Sequence, residues 1–157
     1  MNKKLEDRIR NLPIDIRFYI LPYTYRLQSK EIQEDILSFV QTKKRINQVY
    51  HYRWTILNYS TELDCDKYWL INDIFRFMNE YQPLNRGYVR FFYSIFTRNR
   101  MMVNLSNLEI ERILFLLEQR YHVTHLIGFL WGLLTPFERD SFIGMHASQT
   151  VPPYLLT

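Results

Sequence analysis

Glycine and cysteine are scarce in this 157-residue sequence, and it has no long apolar run. Its 4 glycines are about 2.5% of the chain, whereas soluble proteins average roughly 7%. This shortage argues against β-sandwiches and nucleotide-binding folds, which need glycine in tight turns and phosphate loops. The single cysteine, Cys65, excludes an internal disulfide. The longest strongly apolar run, residues 126–134, is less than half of the roughly twenty residues that a membrane-spanning helix needs.

Aromatic residues are abundant, with 12 Tyr, 11 Phe and 3 Trp. Apolar residues recur mostly at steps of three and four, which is the helical period. We therefore expect an all-α fold, a compact multi-helix domain of about six to eight helices. The predicted domain covers residues 1–146. A tail over residues 147–157 is expected to be extended, because Pro152 and Pro153 forbid a helix there.

Local signals predict where several helices begin and end. Ser29 is expected to cap a helix with the apolar stripe Ile32, Ile36, Phe39/Val40, Ile46, Val49/Tyr50, Trp54 and Leu57. This helix either continues to about Asn58 or kinks in the polar gap 41–45. Asp64 or Asp66 is expected to cap a helix over about residues 67–81. The segment 88–98 is apolar on nearly every side, which predicts a central helix.

Two capping boxes mark helix starts in the last third of the chain. Ser106 with Glu109 and Thr135 with Glu138 have the spacing at which each side chain bonds the other residue's backbone N–H. The helix after Thr135 is predicted to reach Ile143 and to stop at Gly144. On the helix between the two boxes, glycines at positions 128 and 132 predict the close approach of another helix.

Charge patterning suggests an anionic partner as one alternative. Twenty basic and 16 acidic residues give a net charge of +4, which is also ordinary for a soluble domain. Cations alternate with aromatics in two stretches, as phosphate contact and base stacking require. The tentative basic face consists of Lys43, Lys44, Arg45, Arg53, Arg86, Arg90, Arg98 and Arg100. No recognised nucleic-acid-binding module contains them, so nucleic acid is a possible but disfavoured partner.

No metal, cofactor or catalytic site is predicted. His122 and His125 are three residues apart, but no further ligands complete a metal set, so we interpret His122 as a turn residue. The carboxylates of Glu62, Asp64 and Asp66 lack the spacing of a calcium loop and are interpreted as helix caps. Phosphate-loop, dinucleotide, serine-hydrolase and zinc-protease motifs do not occur, so we expect no enzymatic activity.

The segment Leu12-Pro13-Ile14-Asp15-Ile16, followed by Tyr19-Ile20-Leu21, resembles the opening of an F-box. An F-box is a three-helix module that docks on the Skp1 adaptor of ubiquitin ligases. The similar region covers residues 12–54, and Trp54 takes the place of the module's later tryptophan. The resemblance implies that Leu12, Pro13 and Ile16 lie on an exposed apolar surface and contact a Skp1-like adaptor.

A second resemblance covers residues 12–143. The segments LPIDIRFYILPYTYRLQSKEIQEDILSF, YWLINDIFRFMNEY, GYVRFFYSIFTRNR and FLWGLLTPFERDSFI resemble short uncharacterised proteins of nucleocytoplasmic large DNA viruses, the giant viruses. The family has no established activity to carry over. The resemblance implies a viral protein made in the host cytoplasm.

The leading functional prediction is a non-enzymatic structural protein, a minor capsid or internal virion component held by protein–protein contacts. Tyr154, Leu155 and Leu156 are apolar residues of the tail, which either folds back on its own domain or docks on a neighbour. In the virion interpretation they contact a neighbouring capsid or virion subunit. The alternatives are an F-box-like adaptor of the host ubiquitin ligase and a weak nucleic-acid-binding protein. Because the N-terminal segment lacks the apolar core of a signal peptide, we expect a location in the virion or host cytoplasm and no secretion.

Overall fold

A computed structural model describes Ile16, residues 29–58 and residues 62–147. These residues form six α-helices and no strand, so the prediction of an all-α fold is confirmed. The helices are α1 (Lys30–His51), α2 (Cys65–Met78), α3 (Arg90–Phe96), α4 (Asn107–Arg120), α5 (Val123–Leu133) and α6 (Pro136–Ala147). A π-helical turn, Tyr52–Leu57, follows α1 directly, and a 3-10 turn, Leu84–Arg86, precedes α3.

The chain divides into two units, residues 1–34 and residues 35–157. In the first unit, the described residues are Ile16 and the start of α1. The Ser29 hydroxyl accepts a hydrogen bond from the backbone N–H of Ile32 at 3.4 Å, so the predicted cap of α1 is confirmed. Lys30 and Glu34 form an exposed ion pair one turn apart. The predicted domain and tail boundaries stay a prediction, since residues 148–157 lie outside the described residues.

The second unit has one apolar core, to which α5 contributes more buried residues than any other described helix. Leu126, Ile127, Leu130, Trp131 and Leu133 of this helix are all buried. The neighbouring core residues come from α2, α3 and α6, and include Leu70, Ile74, Phe92, Ile95, Phe96 and Phe142. Three residues of α3 are completely buried, in agreement with the central helix predicted from its apolar sequence.

Both capping boxes form as their spacing predicts. Ser106 and Glu109 exchange side-chain-to-backbone hydrogen bonds at the start of α4. At the start of α6, the Thr135 N–H donates to the Glu138 carboxylate at 2.8 Å, and the Glu138 N–H donates to the Thr135 hydroxyl at 3.3 Å. Each box satisfies two of the backbone N–H groups that a helix start leaves without partners.

The predicted stop of the last helix is wrong. α6 continues through Gly144 and ends at Ala147. A glycine ends a helix when it takes up a left-handed conformation, and Gly144 has no positive φ. The last turn also has a tertiary partner, because Arg53 donates a hydrogen bond to the carbonyl oxygen of His146 at 2.5 Å.

The start of α2 departs from an ordinary cap. Asp64 occupies the N-cap position, as one of the two predictions had it, but its φ is 58° and its side chain makes no capping hydrogen bond. The Asp64 carboxylate forms an ion pair with Lys67 instead. The polar gap in α1 causes no break in the helix, which continues into the π-helical turn.

The two glycines of α5 face side chains of α1. A β-carbon built on Gly128 would lie 2.9 Å from Nζ of Lys43, and one built on Gly132 would lie 3.8 Å from Cε2 of Phe39. The predicted close approach therefore exists at Gly128, where the neighbouring atom is the flexible end of a lysine. At Gly132 the space would accept a methyl group in ordinary contact.

Candidate interaction surface

One buried arginine determines which face of α1 points inward. Arg139 of α6 is 1% exposed. Its Nη2 donates to the Asp35 carboxylate at 2.7 Å, and its Nη1 donates to the Ser38 hydroxyl at 3.2 Å. Its Nε donates to the carbonyl oxygen of Trp131 at 3.2 Å. The guanidinium thus connects α1, α5 and α6, and it requires that the polar residues Asp35 and Ser38 point towards the core.

Other inward contacts of α1 follow the same face. The Trp131 indole N–H donates to the Thr42 hydroxyl at 3.0 Å, and further along Ile46, Val49 and Tyr50 are buried. These positions fall within one side of the helix at 100° per residue. The helix predicted from the apolar stripe is confirmed, but the stripe members Ile32, Ile36, Val40 and Leu57 are exposed and lie outside the core.

We define the α1 patch as Ile36, Leu37 and Val40. Their side chains are 47%, 57% and 57% exposed. On the helical wheel they lie within about 100° of one another and roughly opposite the inward face. These three adjacent side chains give the first half of α1 an apolar patch on its outer side.

A second outward face lies on α4. Ile110 and Leu114 are buried. Leu108 and Phe115 lie on the opposite side of the helix and are 77% and 61% exposed. They are about two turns apart, and the exposed Arg112 lies between them, so they form two separate apolar positions.

Two of the eight residues of the predicted basic face are already engaged within the protein. Arg98 makes a two-pronged interaction with the Glu138 carboxylate, at 2.5 and 2.9 Å. Arg53 is bonded to the carbonyl of His146. Since Glu138 and His146 are eight residues apart on one helix, these cations are held roughly 12 Å apart along α6. Of the remaining six, Lys44, Arg86, Arg90 and Arg100 are exposed, and Lys43 and Arg45 are half-buried.

The acidic and histidine residues near α2 form separate pairs. The Asp64 carboxylate lies 3.5 Å from Nε2 of His122, and the Asp66 carboxylate lies 3.4 Å from Nδ1 of His51. His122 is the N-cap of α5, as its interpretation as a turn residue implied. Within residues 29–58 and 62–147, no group of three or more His, Cys, Asp or Glu side chains has the arrangement of a metal site.

A polar cluster that the sequence analysis missed joins α1, α2 and α6. The Tyr50 hydroxyl donates to the Asp73 carboxylate at 2.6 Å and lies 3.2 Å from Nδ1 of His146. On the other side of the imidazole, the Tyr81 hydroxyl is 3.2 Å from Nε2. Burial lowers the pKa of His146, so the ring is neutral near pH 7. Burial, together with the Asp73 carboxylate, raises the pKa of Tyr50, which makes that hydroxyl a poor acid.

This cluster has the geometry of a structural network. Its members are up to 96 residues apart in the chain, so no local spacing could have predicted it. A neutral imidazole between two tyrosine hydroxyls satisfies the hydrogen-bonding groups that the packing of three helices removes from water.

Five of the six predicted partner-binding residues cannot be placed. Leu12, Pro13, Tyr154, Leu155 and Leu156 lie outside the described residues. Ile16 is described; it is helical and 42% exposed.

No family model, no curated protein and no solved structure is significantly similar to the sequence. Across the described part of the chain, no helix combines the length and the apolar character that crossing a membrane requires.

Proposed function

We propose that this protein is a non-enzymatic interaction subunit whose α1 patch is covered by another protein of an assembly. The observation that carries the proposal is the contiguity of Ile36, Leu37 and Val40, each about half exposed. Single exposed apolar side chains are common on protein surfaces, whereas contiguous ones mark interaction sites. Leu108 and Phe115 of α4 are also exposed, but they are about two turns apart and do not form such a patch.

A charge placed in the α1 patch tests this proposal. We expect the full-length wild-type chain, isolated from its source cells on a density gradient, to sediment in a complex far larger than its own 19.4 kDa. Leu37→Glu should release it as a monomer, because a buried interface does not accept an unpaired carboxylate. Gln48→Glu adds the same charge to an exposed position of the same helix and should leave the complex intact.

Thermal unfolding of both variants provides the control for folding. Both positions are exposed, so both substitutions should change the free energy of unfolding by less than about 0.5 kcal/mol. A wild-type chain that sediments as a monomer would refute the proposal, and so would a Leu37→Glu variant that stays in the complex.

The more specific proposal is that the assembly is a virion, with the protein as a minor capsid or internal component. Its support is the resemblance of residues 12–143 to short proteins of giant viruses. Quantitative proteomics of purified particles tests it. A copy number comparable to that of known capsid subunits is expected, and absence from the particles would contradict this assignment while leaving the interaction role open.

A second candidate is the F-box-like adaptor, favoured by the helical conformation and exposure of Ile16. It predicts that the full-length chain binds a purified Skp1-like adaptor. Ile16→Glu should abolish that binding, and Leu37→Glu should not. Failure of the wild-type chain to bind would eliminate the adaptor role.

A further inference from the structure

An aromatic cleft of about 710 Å³ opens between α2 and the junction of α4 with α5. Tyr68 and Phe75 line it from positions about two turns apart on α2, and Glu118 and Tyr121 line it from the end of α4. Tyr88, just before α3, also lines the cleft. The volume falls within the range of roughly 300–1,000 Å³ that small-molecule sites in proteins occupy. The cleft lies apart from the α1 patch and plays no part in the proposed function.

The cleft has an apolar floor and a rim of exposed aromatic side chains. Phe75 and Val123 are buried at its base. At the rim, Tyr68, Trp69 and Tyr121 are 59%, 42% and 56% exposed. Three exposed aromatic side chains thus line one cavity, whereas the other exposed rings, such as Phe115 and Phe137, lie outside it. The π-faces of the three rim rings carry partial negative charge and attract cations.

A carboxylate without a matching cation lies in the same cleft. Glu118 is exposed on one side, and its partial burial raises its pKa. Its negative charge adds to the effect of burial in raising the pKa of Tyr88. Among the residues that the structure describes, no ion pair includes Glu118. Arg76 also lines the cleft, but its nearest carboxylate is Asp73 on its own helix, at 3.9 Å.

We propose that this cleft binds an organic ammonium ion, with Glu118 as the counter-charge and the aromatic rim as the cage around the cationic group. An anion would face the Glu118 carboxylate, and the one cation of the cleft lining, Arg76, already lies beside Asp73. A neutral ligand would remove the Glu118 carboxylate from water without compensating its charge. An ammonium group on an apolar body satisfies both the carboxylate and the apolar floor. A small free amine and a methylated lysine side chain share this chemistry.

Titration of the full-length chain with two probes of similar size and opposite charge tests the proposal. The probes are benzyltrimethylammonium and benzenesulfonate, and the readout is the indole N–H signals in the NMR spectrum, assigned with Trp→Phe variants. We expect the cation to bind about tenfold more tightly than the anion. Its binding should shift the signal of Trp69, which lines the cleft, and leave that of Trp131, which is buried and bonded to Thr42, unchanged.

Variants assign the binding to the cleft. Glu118→Gln keeps the shape of the side chain, removes its charge and should weaken cation binding about fivefold or more. Glu80→Gln removes the same charge from an exposed glutamate outside the cleft lining and should leave binding unchanged. Equal affinity for the two probes, preference for the sulfonate, no binding at millimolar concentration, or equal effects of the two variants would each overturn the proposal.

A short acetylated and amidated peptide with a central trimethyllysine distinguishes the two sources of the cation. Tighter binding of the peptide than of benzyltrimethylammonium assigns the cleft to a modified protein side chain. Weaker binding assigns it to a free amine. Either result, combined with the loss of affinity in Glu118→Gln, supports the cation site.

Discussion

Removal of either partner of the Arg139–Asp35 pair should destabilise the protein, and by unequal amounts. The Arg139 side chain is almost completely buried, whereas the Asp35 side chain is half exposed. Arg139→Met fills most of the same volume but loses the hydrogen bonds to Asp35, to Ser38 and to the Trp131 carbonyl. The Asp35 carboxylate can then return to water, while the Trp131 carbonyl stays buried without that donor.

The magnitudes follow from what each variant leaves behind. An unsatisfied buried carbonyl and the lost bonds of a charged group together cost about 2–3 kcal/mol in Arg139→Met. Asp35→Ala leaves the guanidinium buried without its counter-charge, which costs about 3–5 kcal/mol. Because small domains are stable by only about 5–15 kcal/mol, both changes should be large in a urea titration followed by circular dichroism.

The order of the two effects is the decisive result. Asp35→Ala should lower the free energy of unfolding more than Arg139→Met, and Asp140→Ala, an exposed acid on α6, should change it by less than about 0.5 kcal/mol. If Arg139→Met costs more than Asp35→Ala, packing rather than buried charge dominates the site. If both cost less than about 1 kcal/mol, Arg139 does not hold the three helices together as described.

Three further predictions concern pH, capping and glycine. Burial lowers the pKa of His146 below its ordinary 6.5, so the unfolded chain binds a proton more readily than the folded one. The stability of the fold should therefore be fully present above pH 6.5 and should decrease as the pH falls below that value. A wild-type urea midpoint that does not fall between pH 7 and pH 5, relative to that of His146→Gln, would contradict this. Thr135→Ala removes the side chain that caps α6 and should cost about 1 kcal/mol of unfolding free energy, measured by urea titration; a change below about 0.3 kcal/mol would show that the cap contributes little. Gly144→Ala should raise the melting temperature, since Gly144 lies within a helix and an added β-carbon would meet nothing within 4 Å. Gly87→Ala should lower the melting temperature, because Gly87 has a φ of +78°. Equal effects of the two glycine substitutions would refute that argument.

Local features of the fold could be predicted from the sequence because they depend on short spacings. Both capping boxes, the Ser29 cap and the central position of α3 need only residues within about one or two helical turns. The orientation of α1 could not be predicted in this way. It depends on Arg139, which lies 104 residues from Asp35 in the chain. Periodicity alone places Ile36 and Val40 in one stripe with Ile46, which is buried, although both are exposed.

The candidate surfaces show the same limit. Tyr68 continues the helical stripe of α2, which predicts burial, yet the structure places it at the rim of the cleft. The opposite wall is formed by Glu118 and Tyr121, about fifty residues later in the sequence. Likewise, α6 continues through Gly144 to Ala147, and its last described turn contacts Arg53, 93 residues away in the chain, so a local rule about Gly144 gave the wrong boundary.

The parallel stacking of Trp54 on Trp69 makes this region of the protein spectroscopically distinct. The two indole rings are 4.3 Å apart and tilted by only 2°. At that separation each indole ring lies within the ring current of the other, so the ring-proton NMR signals of the pair should be displaced upfield from those of a tryptophan without a stacked indole, such as the buried Trp131. Because Trp69 also lines the aromatic cleft, these signals would report, without any label, both the docking of the π-helical turn on α2 and the occupancy of the cleft.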